Sequence, residues 1–539
     1  MNRSVLFPSI AVGLLALAAC SAPADTSTDD ESDAALTSLT ALARTLKLQS
    51  VVYVDASASD DDILQAAKKQ NQSAFGALRT ASIGVNDREL ASIDVSTFVK
   101  SHVKVYDVAN GDKTGTPMLR VTYKYTDHAV VPKTMSKRSA LPIAVLSGDY
   151  ETQLDRITNE CTANDSEAKE FRNSIWYVFD PSVSSCKTAL AAEQKVIDAD
   201  HAQISDKSGV PLSEVNRLYS PLTVSLTRAK LNGTATYPEY DRLYGGGVQS
   251  GKLVVGMVSG MMADWAAGEH HDTIDDDGYD MWFGGLREIF AARPGLALVK
   301  SEPAEDFTSF TISGKTYNVP GGINDIMKWE LDGNGYPAGT TSIVQHALRV
   351  AAGEKIVRHW LTFEAPVTVS IGTGQPKSLT IQLNSYFGAE TDATPHKRAI
   401  KNSDIFVYNG HSYIGYGPLD PSNFSESDFP DSYQVMVVNG CVSYNYYEKD
   451  YFPLKNGGTK NLELITNGLE SWVNESGPAM GRLVGALIDG KQESYTSILK
   501  AAQFTQYGYD WGMDALRVVD GELDNKYSPT KTTIKVTAR

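Results

Sequence analysis

The sequence predicts an α/β protein. A C-terminal domain has a mostly parallel sheet flanked by helices, and an α+β N-terminal region precedes it. Three observations lead there. APVTVSI, KSLTIQLNSYF, DIFVYNGHS and YQVMVVNGC arrive in series after residue 364, and strands that are apolar throughout belong to a sheet covered on both faces. Segments of helical spacing lie before them, such as DMWFGGLREIFAA and TSIVQHALRVAAGEKIV, and after them, such as AMGRLVGALIDG. A turn-rich patch, YGGGVQSG at 244–251, separates this half from an earlier one of different pattern.

The chain begins with Met1-Asn2-Arg3, a short basic start, followed by an apolar run from Val5 to Ala19. That run is too short for an ordinary transmembrane helix and reads as a secretory signal. Its ending, Leu17-Ala18-Ala19-Cys20, resembles a bacterial lipobox. The resemblance implies a signal peptide over 1–19, cleavage before Cys20 and lipid on its thiol. The mature chain would then be anchored in the cell envelope, at the outer membrane or cell surface, on the periplasmic or extracellular side. Residues 21–34, SAPADTSTDDESDA, are small, polar and acidic, and residues 20–35 read as a lipidated cysteine and disordered tether.

With 539 residues the chain exceeds one hydrophobic core and calls for two or three domains. Its 42% hydrophobic and 21% charged content is that of a globular protein. A net charge of -16 argues against nucleic acid as a partner, because phosphate would be repelled.

Residues 36–250 form the α+β region, whose role the sequence leaves open. HVKVYDV, LRVTYKY, PIAVLSG and PLTVSLTRAKL read as strands, and helical spacing fills 150–204. Cys161 and Cys186 flank a predicted helix there. With Cys20 assigned to lipid, they are the natural disulfide pair in an oxidising compartment, and such a loop contributes on the order of 3 kcal/mol. Cys441 is left over, either a reactive thiol or a buried inert one. A disulfide from Cys441 to Cys161 or Cys186 is the competing arrangement.

The chemistry concentrates in residues 251–539. Two strands there end alike: DIFVYNGHS runs into Asn409-Gly410-His411-Ser412, and YQVMVVNGC into Asn439-Gly440-Cys441. In an open parallel sheet, functional groups lie just past the carboxyl ends of strands. Neighbouring strands would put His411 and Cys441 on one edge, and a thiol beside an imidazole is the minimum for nucleophilic cysteine catalysis.

These two blocks resemble the caspase–gingipain superfamily of cysteine peptidases (clan CD), and YNGHS and VVNGCVS look closest to its gingipain-like branch. The likeness covers roughly residues 251–525 as an architecture, with only the two blocks specific. It implies a caspase-like domain, a peptide or protein substrate, Cys441 as nucleophile and His411 as general acid/base. The backbone N–H groups of Ser412 and Cys441 would form the oxyanion hole. Ser412 stands where the family usually has glycine. In SYFGAETDATPHK, Glu390 and Asp392 are the candidates for binding a basic P1 side chain, and a solvated acidic loop capping the next helix is the competing reading. No cofactor is required. The same fold without catalysis, used for binding or scaffolding on the cell surface, is the alternative function.

GEHHDTIDDDGYD (268–280) reads first as an exposed acidic loop; its ligand types could also hold calcium or zinc, with Asp275 and Asp277 the candidate ligands of a structural calcium. With Gly278 sixth, an EF-hand loop would need its glutamate at Gly284, so the loop is not of that kind. SIGTGQPKS lacks phosphate-loop spacing and reads as a hairpin turn.

Overall fold

The computed structural model describes residues 37–228, 235–263, 271–388, 391–506, 509–511 and 515–539. The signal, Cys20 and the tether up to residue 36 lie outside the described residues. No helix among those described is long and apolar enough to cross a membrane. The chain folds as mixed α/β around a ten-stranded and a seven-stranded sheet.

The ten-stranded sheet comprises β1 Thr37–Ser38, β2 Lys252–Ser259, β3 Ala297–Glu302, β4 Trp360–Ile371, β5 Lys377–Phe387, β6 Ile405–Asn409, β7 Gln434–Asn439, β8 Leu462–Asn467, β9 Arg517–Asp520 and β10 Ile534–Ala538. Their spatial order is β1-β9-β8-β7-β6-β2-β5-β4-β3, and β10 also pairs β4. The centre, β8-β7-β6-β2-β5, is parallel. The flanking pairs are antiparallel, so the sheet is parallel only at its middle. The side chains explain the split. Every residue of β6, β7 and β8 is buried, as a strand covered on both faces requires. In β4 and much of β5, buried positions alternate with half-exposed ones, and a tight turn at Gly372 (φ 58°) joins the two strands into a hairpin.

Six helices matter for the site: α1 Ala74–Thr80, α2 Ile175–Val178, α3 Asp277–Ala292, α4 Ala393–Lys401, α5 Ser443–Tyr451 and α6 Val473–Ile488. Helices α3 and α6 cover one face of the large sheet, with Trp282, Leu286, Leu483 and Leu487 packed over Leu253 and Val255. Glycine makes the approach close: a Cβ on Gly481 would lie 2.4 Å from the Gly285 carbonyl oxygen.

The other face is covered by the N-terminal half. Its seven-stranded sheet is built on the long antiparallel pair Ala41–Asp55 and Thr116–Pro132. One apolar core runs from Leu46, Val121 and Tyr123 of that sheet, through Phe75 and Tyr177, to Phe406, Met436, Tyr446 and Leu464. The chain's first described strand, β1, pairs β9 of the large sheet, Thr37 opposite Val519. Cys161 and Cys186 form the disulfide, which leaves Cys441 free and rules out its pairing with either.

Candidate functional site

Strands β6 and β7 are parallel neighbours, and their last paired residues are Asn409 and Asn439. His411 and Cys441 each follow two residues later, so they leave the same edge at the same level. The intervening glycines allow the two loops to touch. A Cβ on Gly440 would meet the Gly410 carbonyl oxygen at 3.3 Å and the Ser412 nitrogen at 3.4 Å. A Cβ on Gly410 would lie 2.5 Å from the Tyr408 hydroxyl.

His411 is held from two sides. Its Nε2 lies 2.8 Å from the Met262 carbonyl oxygen. A carbonyl only accepts, so Nε2 carries a proton and Nδ1 is the nitrogen left to act as a base. The Met262 loop, at the carboxyl end of β2, is fixed by Asp276, which is 1% exposed. Its carboxylate accepts the N–H groups of Met262 (2.9 and 3.1 Å), Ala263 (3.0 Å) and Gly278 (2.7 Å), capping α3 with the last. On the other side, the Tyr408 hydroxyl donates to the His411 carbonyl at 2.8 Å. The chain then turns sharply, with Tyr413 and Ile414 both at φ 52°.

Cys441 is partly exposed and begins the turn into α5, with Val442 left-handed at φ 46°. Its Sγ lies 3.9 Å from the Ser471 carbonyl oxygen, and the Val442 N–H bonds the Leu469 carbonyl at 3.0 Å. Burial pushes the thiol above its ordinary value; the Glu470 carboxylate adds to the rise, and contact with the Ser471 backbone opposes it. The resting group is therefore a thiol at neutral pH. Neither hydrogen bond joins the pair, since the thiol's goes to Ser471 and the imidazole's to Met262.

The N-terminal half reaches both loops. Arg79 of α1 pairs with Glu470 and stacks 4.6 Å over Tyr177 of α2. Arg88 binds Asp420 (3.0 Å), donates to the Gly415 carbonyl (2.5 Å) and lies 4.4 Å over Tyr416 in the loop after His411.

Beneath the edge runs a chain of amides. Asn439 Nδ2 donates to Asn409 Oδ1 at 2.7 Å, and Asn467 Nδ2 to Asn439 Oδ1 at 2.9 Å. Buried Arg517 donates to the oxygens of Asn467 and Asn439, each at 3.1 Å. Among the described residues, neither the Ser412 nor the Cys441 N–H has an acceptor.

The other candidates fall elsewhere. Asp392 caps α4, its carboxylate accepting the Thr394 N–H at 2.8 Å. Glu390 lies outside the described residues. Asp275 and Asp277 are exposed, while Asp276 between them carries the structural role. Among the described residues, no group of three or more His, Cys, Asp or Glu side chains is arranged to hold a metal ion. Sequence reasoning passed over Met262, Ser471, Asn467 and Arg517, which act through contacts distant in the chain, and Tyr408, whose hydroxyl reaches the His411 carbonyl three residues on. Asp276 carried a local signal, an aspartate just before the apolar helix 277–292. Comparison of the chain with protein-family models, curated proteins and solved structures gives no match.

Proposed function

We propose that this chain is an exported, lipid-anchored cysteine endopeptidase of the caspase–gingipain kind, acting on peptide or protein substrates. The observation that carries the reading is the register of β6 and β7, with His411 and Cys441 at matched positions past paired asparagines. In the reaction, Cys441 Sγ bonds the scissile carbonyl carbon as its proton passes to His411 Nδ1. His411 returns that proton to the leaving amine, and a thioester remains. Water activated by the same imidazole then hydrolyses it. No cofactor enters these steps. A structural calcium near 268–280, basic P1 recognition by Glu390 and Asp392, and the lipid on Cys20 belong to the same proposal.

The test is a screen of fluorogenic peptide amides, beginning with Arg and Lys at P1. The full chain is compared with Cys441→Ala and His411→Ala. Cleavage by the parent chain that disappears in both variants supports the reading. Cleavage that survives both would defeat it.

One observation favours the alternative of a non-catalytic surface lipoprotein. Cys441 is only partly exposed and burial raises its thiol, with Arg79 and Tyr177 of the N-terminal half close enough to act on it electrostatically. On that reading the parent chain cleaves nothing in the screen.

A further inference from the structure

The geometry points to Tyr408 and Asn467, the latter oriented by Arg517, as positioning residues that aim an oxyanion hole formed by the Ser412 and Cys441 N–H groups. The inference rests on the acyl-transfer reading of Cys441 and adds the means by which its hole is preorganised.

The argument begins with the peptide group. In a trans peptide the C=O and the following N–H share a plane and point in opposite directions. Neither peptide here is cis; the one cis bond among the described residues is Glu302–Pro303. Anchoring a carbonyl therefore aims the next residue's N–H. The Tyr408 hydroxyl anchors the His411 carbonyl at 2.8 Å, which sets the Ser412 N–H. The Ser412 carbonyl is held in turn by the Tyr447 hydroxyl at 2.8 Å, fixing that residue from its other side. Asn467 Nδ2 anchors the Gly440 carbonyl at 3.3 Å, which sets the Cys441 N–H.

Arg517 decides which way the Asn467 amide faces. A guanidinium only donates, so the amide oxygen must turn to Arg517 and Nδ2 must turn to Gly440. Arg517 is only 8% exposed, and its guanidinium donates to two amide oxygens, those of Asn467 and Asn439. Gly440, which precedes Cys441, packs closely against Ser412: a Cβ there would lie 3.4 Å from the Ser412 nitrogen. Donors fixed before the reaction stabilise the charge that develops on the carbonyl oxygen without reorganising at that moment.

Two reagents separate this role from general support of the fold. p-Nitrophenyl acetate acylates a thiol: the S–H proton passes to the imidazole, the S–C bond forms, the carbonyl π pair moves to oxygen, and its return expels p-nitrophenolate. Iodoacetamide alkylates the same sulfur by displacing iodide, with no oxyanion. Both rates are measured at Cys441 in the full chain, with Cys441→Ala as background and urea unfolding to confirm that each variant folds. Tyr408→Phe and Asn467→Asp each remove one anchoring donor. Each should slow acetylation about ten-fold or more while alkylation stays within about two-fold of the parent. Two rates that fall together, or an acetylation rate that does not fall, would overturn the inference. A parent chain whose acetylation-to-alkylation ratio matches that of free cysteine would overturn the inference and the acyl-transfer reading together. A raised parent ratio with unaffected variants would overturn the inference alone.

Discussion

Arg79 of the N-terminal half forms an ion pair with Glu470, and the next residue, Ser471, presents the carbonyl that faces the Cys441 thiol. The two halves of the chain thus meet one residue from the candidate nucleophile. The Arg79 side chain is 14% exposed and that of Glu470 34%, so the pair is only partly screened by water.

Arg79→Ala should free the loop 468–471 and open the thiol. The expected outcome is faster alkylation of Cys441 by iodoacetamide, with a stability loss of roughly 1–3 kcal/mol. Alkylation kinetics and urea midpoints on the same samples check both parts.

Gly410→Ala tests the turn that presents His411. The new Cβ would collide with the Tyr408 hydroxyl at 2.5 Å and displace it from the His411 carbonyl. The variant should lose about 1–3 kcal/mol by overpacking and, on the proposed function, most of its activity. Gly372→Ala, at a tight turn of positive φ with no neighbouring atom within 4 Å, is the control. It should lose stability through backbone strain while retaining activity.

The seam between the halves should depend on pH. Asp127, buried beside Asp87 and Lys449, has its carboxyl pushed up to about 7, chiefly by burial and secondarily by the Asp87 charge. Such a group binds its proton more tightly folded than unfolded. Its contribution is full below the unfolded value of about 3.9 and fades as pH rises through about 7, a change of a few kcal/mol. Glu448, raised by burial and by the Asp520 charge, acts in the same direction. The parent chain should therefore lose stability as pH rises from about 4 to about 7, and Asp127→Asn should flatten that part of the profile, read as urea midpoint against pH.

Opening the Cys161–Cys186 disulfide should lower stability by about 3 kcal/mol, the entropy of a loop with a sequence separation of 25. Paired Cys161→Ala and Cys186→Ala substitutions with urea unfolding measure it. Cys441, which takes no part in the bridge, should keep its alkylation rate.

The central strands were legible in the sequence because β6 and β7 are apolar at every position before their asparagines, and a covered strand needs no alternation. The same rule misread β4 and β5, whose buried and half-exposed positions alternate around a hairpin. The strand Ala41–Asp55 escaped notice because Arg44, Lys47 and Gln49 interrupt its apolar positions; Arg44 is buried by its bonds to the Ala43 and Ser136 carbonyls. His411 and Cys441 stood out because each follows a strand and a glycine. Their supports did not: Asn467 and Arg517 lie 26 and 76 residues beyond Cys441, at positions that only the folded sheet makes adjacent. Asp392 was legible both as a candidate ligand and as a helix cap, and in the structure it caps α4.

The most direct measurement is active-site labelling with peptidyl acyloxymethyl ketones carrying Arg, Lys, Leu or Asp at P1, read by intact mass and peptide sequencing of the full chain. These probes alkylate a thiolate that engages the peptide as a substrate. The account predicts one adduct per chain on Cys441 with at least one probe, at a rate far above that of free cysteine and lost in His411→Ala. No adduct with any probe, or an adduct whose rate His411→Ala leaves unchanged, would contradict it.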